Sequence, residues 1–202
     1  MATTNKMKII VAASAALWLG LSAAPLMASE DWQRIEHPTL DMLFTSTAAD
    51  FAGYERVYLE PVSVWYPTES AAALDRVASL REWAASELVS AFSANGLEVA
   101  DAPGRNAMIV RVQFIDFTDT VVSEEALAWK RRFRFNVEPG RVTMVAELID
   151  ARTGNTVVRM ADTQDEPASG LSDDLHSALT GWSNLVAAAV VSPADAVQLA
   201  SR

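Results

Sequence analysis

The sequence predicts an α+β fold, a two-layer sandwich in which two helices cover a mainly antiparallel sheet. Two segments, residues 69–95 and 173–190, carry a single apolar stripe at helical spacing. Segments at 107–117, 131–138 and 141–150 alternate apolar and polar residues, as half-buried strands do. The chain has no cysteine, so disulfides cannot stabilise it and a packed core must.

The first 28 residues have the pattern of a secretory signal peptide. Lys6 and Lys8 precede an apolar run from Ile9 to Leu21, and small residues follow as far as Ala28. This run is shorter than the roughly 20 residues that a membrane-spanning helix needs, although a retained anchor is the alternative interpretation. We expect cleavage after Ala28 and a mature protein without a stable membrane anchor. The periplasm is its expected location, with the external medium as second choice.

The remaining chain is expected to form an extended lead-in, residues 29–53, and one domain, residues 54–202. The net charge is −10, and loss of the two lysines in residues 1–28 makes it −12. Nucleic acid is excluded as a partner, because its phosphates attract positively charged proteins.

The domain begins with a predicted strand at 56–66. Its apolar phase changes at Pro61, which favours an edge position or a bulge there because proline lacks the N–H that a ladder needs. The long helix at 69–95 follows, with Thr68 as its N-cap. Asn95-Gly96 ends it, and Leu97 is expected to close a Schellman motif. The apolar stripe of this helix consists of Leu74, Val77, Leu80, Ala84, Leu88 and Phe92.

The second half of the domain is predicted as a meander followed by a helix. Strands at 131–138, 141–150 and 155–162 are expected to pair as three antiparallel neighbours, after the strand at 107–117. The helix at 173–190 is capped by Ser172. A short last helix is expected to start at Ser192-Pro193, since proline is tolerated at the first helical position.

Three stretches resemble a family of bacterial envelope proteins, domain-of-unknown-function family 3313. They are Tyr54–Val62, with the sequence YERVYLEPV, Val142–Asn155, with the sequence VTMVAELIDARTGN, and Leu179–Trp182. The likeness spans residues 48–189 and implies an envelope location and the family's fold. It supplies no catalytic residue. Many members look like lipoproteins, and the absence of the cysteine that carries the lipid keeps membrane anchoring from being transferred.

No motif in the sequence predicts catalysis, a metal or a cofactor. His37 and His176 are interpreted as solvated or packed histidines, because neither lies in a hydrolase motif or at zinc-ligand spacing. The acidic clusters, among them Asp162 with Asp165 and Glu166, are interpreted as solvated surface. We therefore expect a protein that is not an enzyme.

A basic segment is the candidate binding surface. In this segment, residues 129–135, strand alternation predicts that Arg132 and Arg134 share one sheet face with Arg111 and Arg159 and form a positive stripe for an anionic partner. The alternative is a solvated face with Glu147 and its neighbours paired across strands. The candidate partner-binding residues are Trp129, Lys130, Arg131, Arg132, Arg134 and Arg111.

Three functions follow from these observations. The first is a non-catalytic exported protein that binds another periplasmic or outer-membrane component. The second is a carrier or sensor of a small amphiphile or anionic glycan, held between sheet and helix. The third is an unrecognised hydrolase, which requires a polar cluster around a histidine or a carboxylate pair in a pocket.

Overall fold

The computed structural model describes residues 32–49, 51, 53–66, 71–116, 141–165 and 173–192. Within these residues the fold is α+β, with one sheet of eight strands and two helices. The elements in chain order are β1 (Trp32–Arg34), β2 (Met42–Ser46), β3 (Arg56–Leu59), β4 (Ser63–Trp65), α1 (Ala71–Ala94), β5 (Glu98–Val99), β6 (Ala107–Asp116), β7 (Arg141–Asp150), β8 (Thr156–Asp165) and α2 (Asp173–Val191).

The sheet is mixed, so the prediction of a mainly antiparallel sheet is wrong. Its strands lie in the order β1-β2-β8-β7-β6-β3-β5, and β4 also pairs with β6. The pairs of β6 with β3 and β4, and of β3 with β5, are parallel. The long helix α1 explains this arrangement. It carries the chain back across the sheet, so that β6 starts at the same end as β3.

The predicted meander is correct only in its second half. β7 and β8 form the expected antiparallel hairpin. The other edge of β7 is taken by β6, in register from Met108 opposite Asp150 to Asp116 opposite Val142. A strand at 131–138 therefore has no place beside β7, and that segment itself lies outside the described residues.

Local signals placed most of the remaining elements correctly. The predicted first strand is divided into β3 and β4 around the exposed Pro61, and both parts pair with β6. Residues 32–46 of the expected lead-in contribute β1 and β2, of which β2 pairs with β8. The signal peptide and the short last helix lie outside the described residues.

The end of α1 is the predicted Schellman motif. The backbone N–H of Leu97 donates to the carbonyl of Phe92 at 3.0 Å, and that of Gly96 donates to Ser93 at 3.1 Å. Gly96 has a φ of 77°, a left-handed conformation that glycine adopts without steric cost. Leu97 and Phe92 are both buried in the main core, so this cap also fixes where the chain leaves the helix.

The main core lies between the helices and one face of the sheet. It combines the apolar stripes of α1 and α2 with alternate residues of β6, β7 and β8. Within the predicted α1 stripe, Leu80, Ala84, Leu88 and Phe92 are buried, whereas Leu74 in the first turn is 61% exposed. The opposite sheet face carries Arg111, Glu147 and Arg159.

Candidate functional site

A cleft of about 540 Å³ lies where the end of β8 meets α2. β8 contributes Asp162 and Gln164, α2 contributes one face, and Asn95 follows directly after α1. The residues that line the cleft are Thr39, Asn95, Asp162, Gln164, Ala178, Gly181, Trp182, Asn184 and Leu185. The sheet side of the site is therefore polar, and the helix side is mostly apolar apart from Asn184.

Two consecutive residues of α2 shape this cleft. Gly181 leaves open space, since a Cβ placed on it would meet no atom within 4 Å. Trp182 is 2% exposed and packs edge-on against Phe114, with ring centroids 6.1 Å apart. The indole Nε1–H of Trp182 is buried and has no hydrogen-bond acceptor among the residues that the structure describes. A buried donor without an acceptor is costly.

Asp162 is the buried carboxylate of the cleft, and it is only 8% exposed. Burial raises its pKa above the ordinary value of 3.8, and the nearby Asp41 raises it further. The side-chain amide of Gln164 donates to Asp162 Oδ2 at 2.6 Å and opposes this shift only in part. The sequence-based interpretation of Asp162 as solvated surface is therefore wrong.

The other buried charged residues of the described chain have partners of opposite charge. Arg159 Nε lies 3.1 Å from Glu147 Oε1, and Arg152 lies 3.4 Å from Asp150 Oδ2. Among the residues that the structure describes, Asp162 alone is a buried charge whose side-chain partner is a neutral amide. A carboxylate held in a cleft at a cost in desolvation is a physical marker of a functional site.

Two asparagines at the cleft have amide orientations that the backbone fixes. Asn95 Nδ2 donates to the Ala91 carbonyl at 2.8 Å, and Asn184 Nδ2 donates to the Thr180 carbonyl at 3.0 Å. Because a carbonyl oxygen can only accept, each amide nitrogen must face the helix. Each amide can therefore offer its oxygen as an acceptor, and the second hydrogen of its nitrogen as a donor.

The opposite face of the sheet holds a charge ladder, defined as Glu60, Arg111, Glu147 and Arg159. Arg111 donates to both carboxylate oxygens of Glu60, at 2.7 and 3.1 Å, and lies 3.5 Å from Glu147. The hydrogen bond to Glu60 raises the pKa of Arg111, against the effect of burial. Arg159 also lies over the ring of Trp32, 4.8 Å from its centroid.

The charge ladder contains the part of the predicted basic surface that the structure describes. Arg111 and Arg159 share one face, as strand alternation requires, but two glutamates balance their charges. The other candidates, Trp129, Lys130, Arg131, Arg132 and Arg134, lie outside the described residues. The structure therefore brings Arg111 together with Arg159 and leaves the partner surface a prediction.

The two histidines take part in local packing. His37 Nδ1 lies 3.2 Å from the backbone nitrogens of Thr39 and Leu40, a turn-forming contact. The His176 ring packs against Trp83 at 4.2 Å between centroids, and its Nε2 lies 3.9 Å from Glu87. In the described part of the chain, no three metal-ligating side chains come together. Neither described helix has the length and apolar character of a membrane span.

Replacing Asp162 with asparagine is expected to stabilise the protein at neutral pH. The folded-state pKa of Asp162 is raised, so ionising this residue destabilises the folded protein as the pH rises above 3.8. The gain from asparagine should be full above the folded-state pKa. It should vanish below about pH 3.8, where the carboxyl is protonated in both states. Urea unfolding at a series of pH values measures it.

The exposed Asp101 provides the matched control for this measurement. Its replacement by asparagine removes the same charge from a solvated site and should leave the free energy of unfolding within about 0.5 kcal/mol. An Asp162→Asn variant that is less stable than the wild type at pH 7 would contradict the assignment.

Comparison with known proteins adds a family and several distant folds. The sequence profile of a protein family of unknown function, DUF3313, matches residues 33–178. No curated protein matches the chain. One similar solved structure is a DUF4136 family protein from Bacteroides thetaiotaomicron, with 10% identity, a TM-score of 0.47, and coverage of 81% of this chain and 98% of that one.

Two further solved structures show weaker similarity. The PelC dodecamer from Paraburkholderia phytofirmans has 16% identity and a TM-score of 0.39, over 77% of this chain and 92% of that one. A lipoprotein from Neisseria meningitidis has 13% identity and a TM-score of 0.36, over 63% and 92%. The family profile covers most of the chain, as the sequence resemblance predicts, and the chain belongs to the DUF3313 family of unknown function.

Proposed function

We propose that this chain is a non-catalytic protein of the bacterial envelope that binds a small amphiphile in the cleft between β8 and α2. The single observation that carries the proposal is the cleft itself, which combines a buried carboxylate with apolar side chains of α2. A concave apolar site with a few convergent polar groups is the usual form of a ligand pocket. In this proposal the two helices form a layer over one face of the sheet, and the cleft lies between that layer and the sheet.

Export to the periplasm is the second part of the proposal. It is supported by the charged, apolar and small-residue regions of residues 1–28. A non-catalytic role is supported by the histidines, since His37 holds a turn and His176 packs on Trp83. Each histidine ring thus has a structural role, in a turn or in packing, that accounts for it without catalysis.

The ligand should depend on the open space at Gly181. Leucine at this position would fill the cleft, whereas alanine would add only one methyl group that meets no neighbour. We expect native mass spectrometry of the wild-type protein, purified from the periplasm of its own bacterium, to detect a bound small molecule. The Gly181→Leu variant should lose that molecule and Gly181→Ala should keep it. A ligand-free mass for the wild type would contradict the proposal.

An envelope protein that docks on the basic surface is the second candidate. The observation that favours it is the placement of Arg111 and Arg159 on one sheet face, as strand alternation predicts for them. Reversing the charges at Arg132 and Arg134 to glutamate is expected to abolish capture of the partner after in-cell cross-linking. Arg105, which is exposed and lies outside this segment of the sequence, provides the charge-reversal control. Unchanged capture by the double variant would exclude this surface.

A further inference from the structure

Asp162 makes the cleft electrostatically selective. This carboxylate is removed from water, and no lysine or arginine of the described chain neutralises it. The neighbouring Asp41 adds a second negative charge close to it. An anionic ligand would therefore meet repulsion in a poorly solvated site, whereas a cation would supply the missing counter-charge.

The hydrogen-bonding groups of the cleft have the same preference. The side-chain oxygens of Asn95, Asn184 and Gln164 are acceptors, and each amide nitrogen already donates one of its two hydrogens within the protein. Together with the Asp162 carboxylate, these oxygens suit a ligand head that donates hydrogen bonds.

The helix side of the cleft is apolar and can hold a short hydrocarbon chain. Ala178, Leu185 and the ring of Trp182 supply this surface, and Gly181 leaves it unobstructed. The volume of about 540 Å³ accommodates a chain of several carbons together with a polar head. Head and tail would then lie against different walls of the same site.

We infer that the cleft selects an amphiphile whose head carries a protonated amine, with Asp162 as the residue that recognises the ammonium group. The inference rests on the proposed function, because it names the ligand class of the same cleft. A charged hydrogen bond to a carboxylate that is already desolvated gives the strongest discrimination available at this site. It also accounts for a carboxylate kept where burial disfavours its charge.

Three eight-carbon compounds whose heads are positive, neutral and negative test the inference by calorimetric titration of the mature protein at pH 7. They are octylamine, which is positively charged at this pH, 1-octanol and sodium octanoate. We expect octylamine to bind more tightly than octanol, and octanoate to bind least. Asp162→Asn should weaken octylamine about 10- to 100-fold and leave octanol unchanged, as the loss of a charged hydrogen bond predicts.

The variants separate failure of this inference from failure of the proposed function. Gly181→Leu should abolish binding of all three compounds, and Gly181→Ala should retain it. Equal binding of octanol and octylamine, both lost in Gly181→Leu, would overturn the ammonium preference and keep the cleft as a site. Absence of binding by all three compounds, or binding that Gly181→Leu does not affect, would overturn the cleft as a site.

Discussion

Replacing Glu147 with alanine is expected to lower the free energy of unfolding by about 3–5 kcal/mol. Glu147 is 5% exposed and its carboxylate lies between Arg159, at 3.1 Å, and Arg111, at 3.5 Å. Alanine removes this carboxylate and leaves two arginine charges facing a cavity in the middle of the sheet. Urea unfolding of the wild type and the variant measures the loss.

A double variant shows whether the charge ladder or the packing is responsible. Glu147→Leu combined with Arg159→Met removes both charges and keeps the volume, while Arg111 retains its two bonds to Glu60. Apolar replacement of a complete buried pair is often neutral or stabilising, so the double variant should be within about 1 kcal/mol of the wild type. A single Glu147→Ala variant that loses less than about 1 kcal/mol would show that the pair is effectively solvated.

Replacing Trp182 with alanine is expected to cost about 3–5 kcal/mol, the usual effect of removing a buried indole. Trp182 joins α2 to the sheet through its contact with Phe114, and it is among the largest fully buried side chains. The cavity left by alanine would connect with the cleft beside it. Thermal unfolding followed by circular dichroism measures the loss.

Phenylalanine at the same position is the matched control. It keeps most of the aromatic contact with Phe114 and removes the N–H that has no acceptor, so the cost should stay below about 1.5 kcal/mol. If phenylalanine were as destabilising as alanine, the indole N–H would have to be paired in the folded protein.

The elements that sequence analysis predicts well are those with local causes. The β7–β8 hairpin turns through residues 151–155, where Gly154 has a φ of 72° and Asp150 accepts bonds from Arg152 and Thr153. All of these contacts join residues at most four positions apart, so the local residue types are enough to predict them. The cap at Gly96 has the same origin.

Strand partners could not be predicted in the same way. The parallel pairing of β3 with β6 depends on how α1 crosses the sheet, and no residue in either strand specifies it. The pairing of Arg111 and Arg159 with glutamates could not be predicted for a similar reason. Alternation predicts that Arg111 and Arg159 share a face, but only the strand register places Glu147 between them and Glu60 on the other side of Arg111.

Asp162 carried a signal that the sequence analysis missed. It follows Val158 and Met160 at alternate positions of β8, and both of these residues are fully buried. A carboxylate in phase with core residues must be buried wherever the strand continues past it. The predicted strand ended at residue 162, so Asp162 was grouped with its acidic neighbours, whereas β8 continues to Asp165.

The parallel half of the sheet has a consequence for folding kinetics. β3 pairs with β6 across about 50 residues of intervening chain, whereas the β7–β8 hairpin closes within a few residues. Closing the longer loop costs chain entropy before any contact compensates for it, so the hairpin should form first and the β3–β6 contacts last. A chain built in this order stays incompletely folded for longer than a simple meander of the same length would.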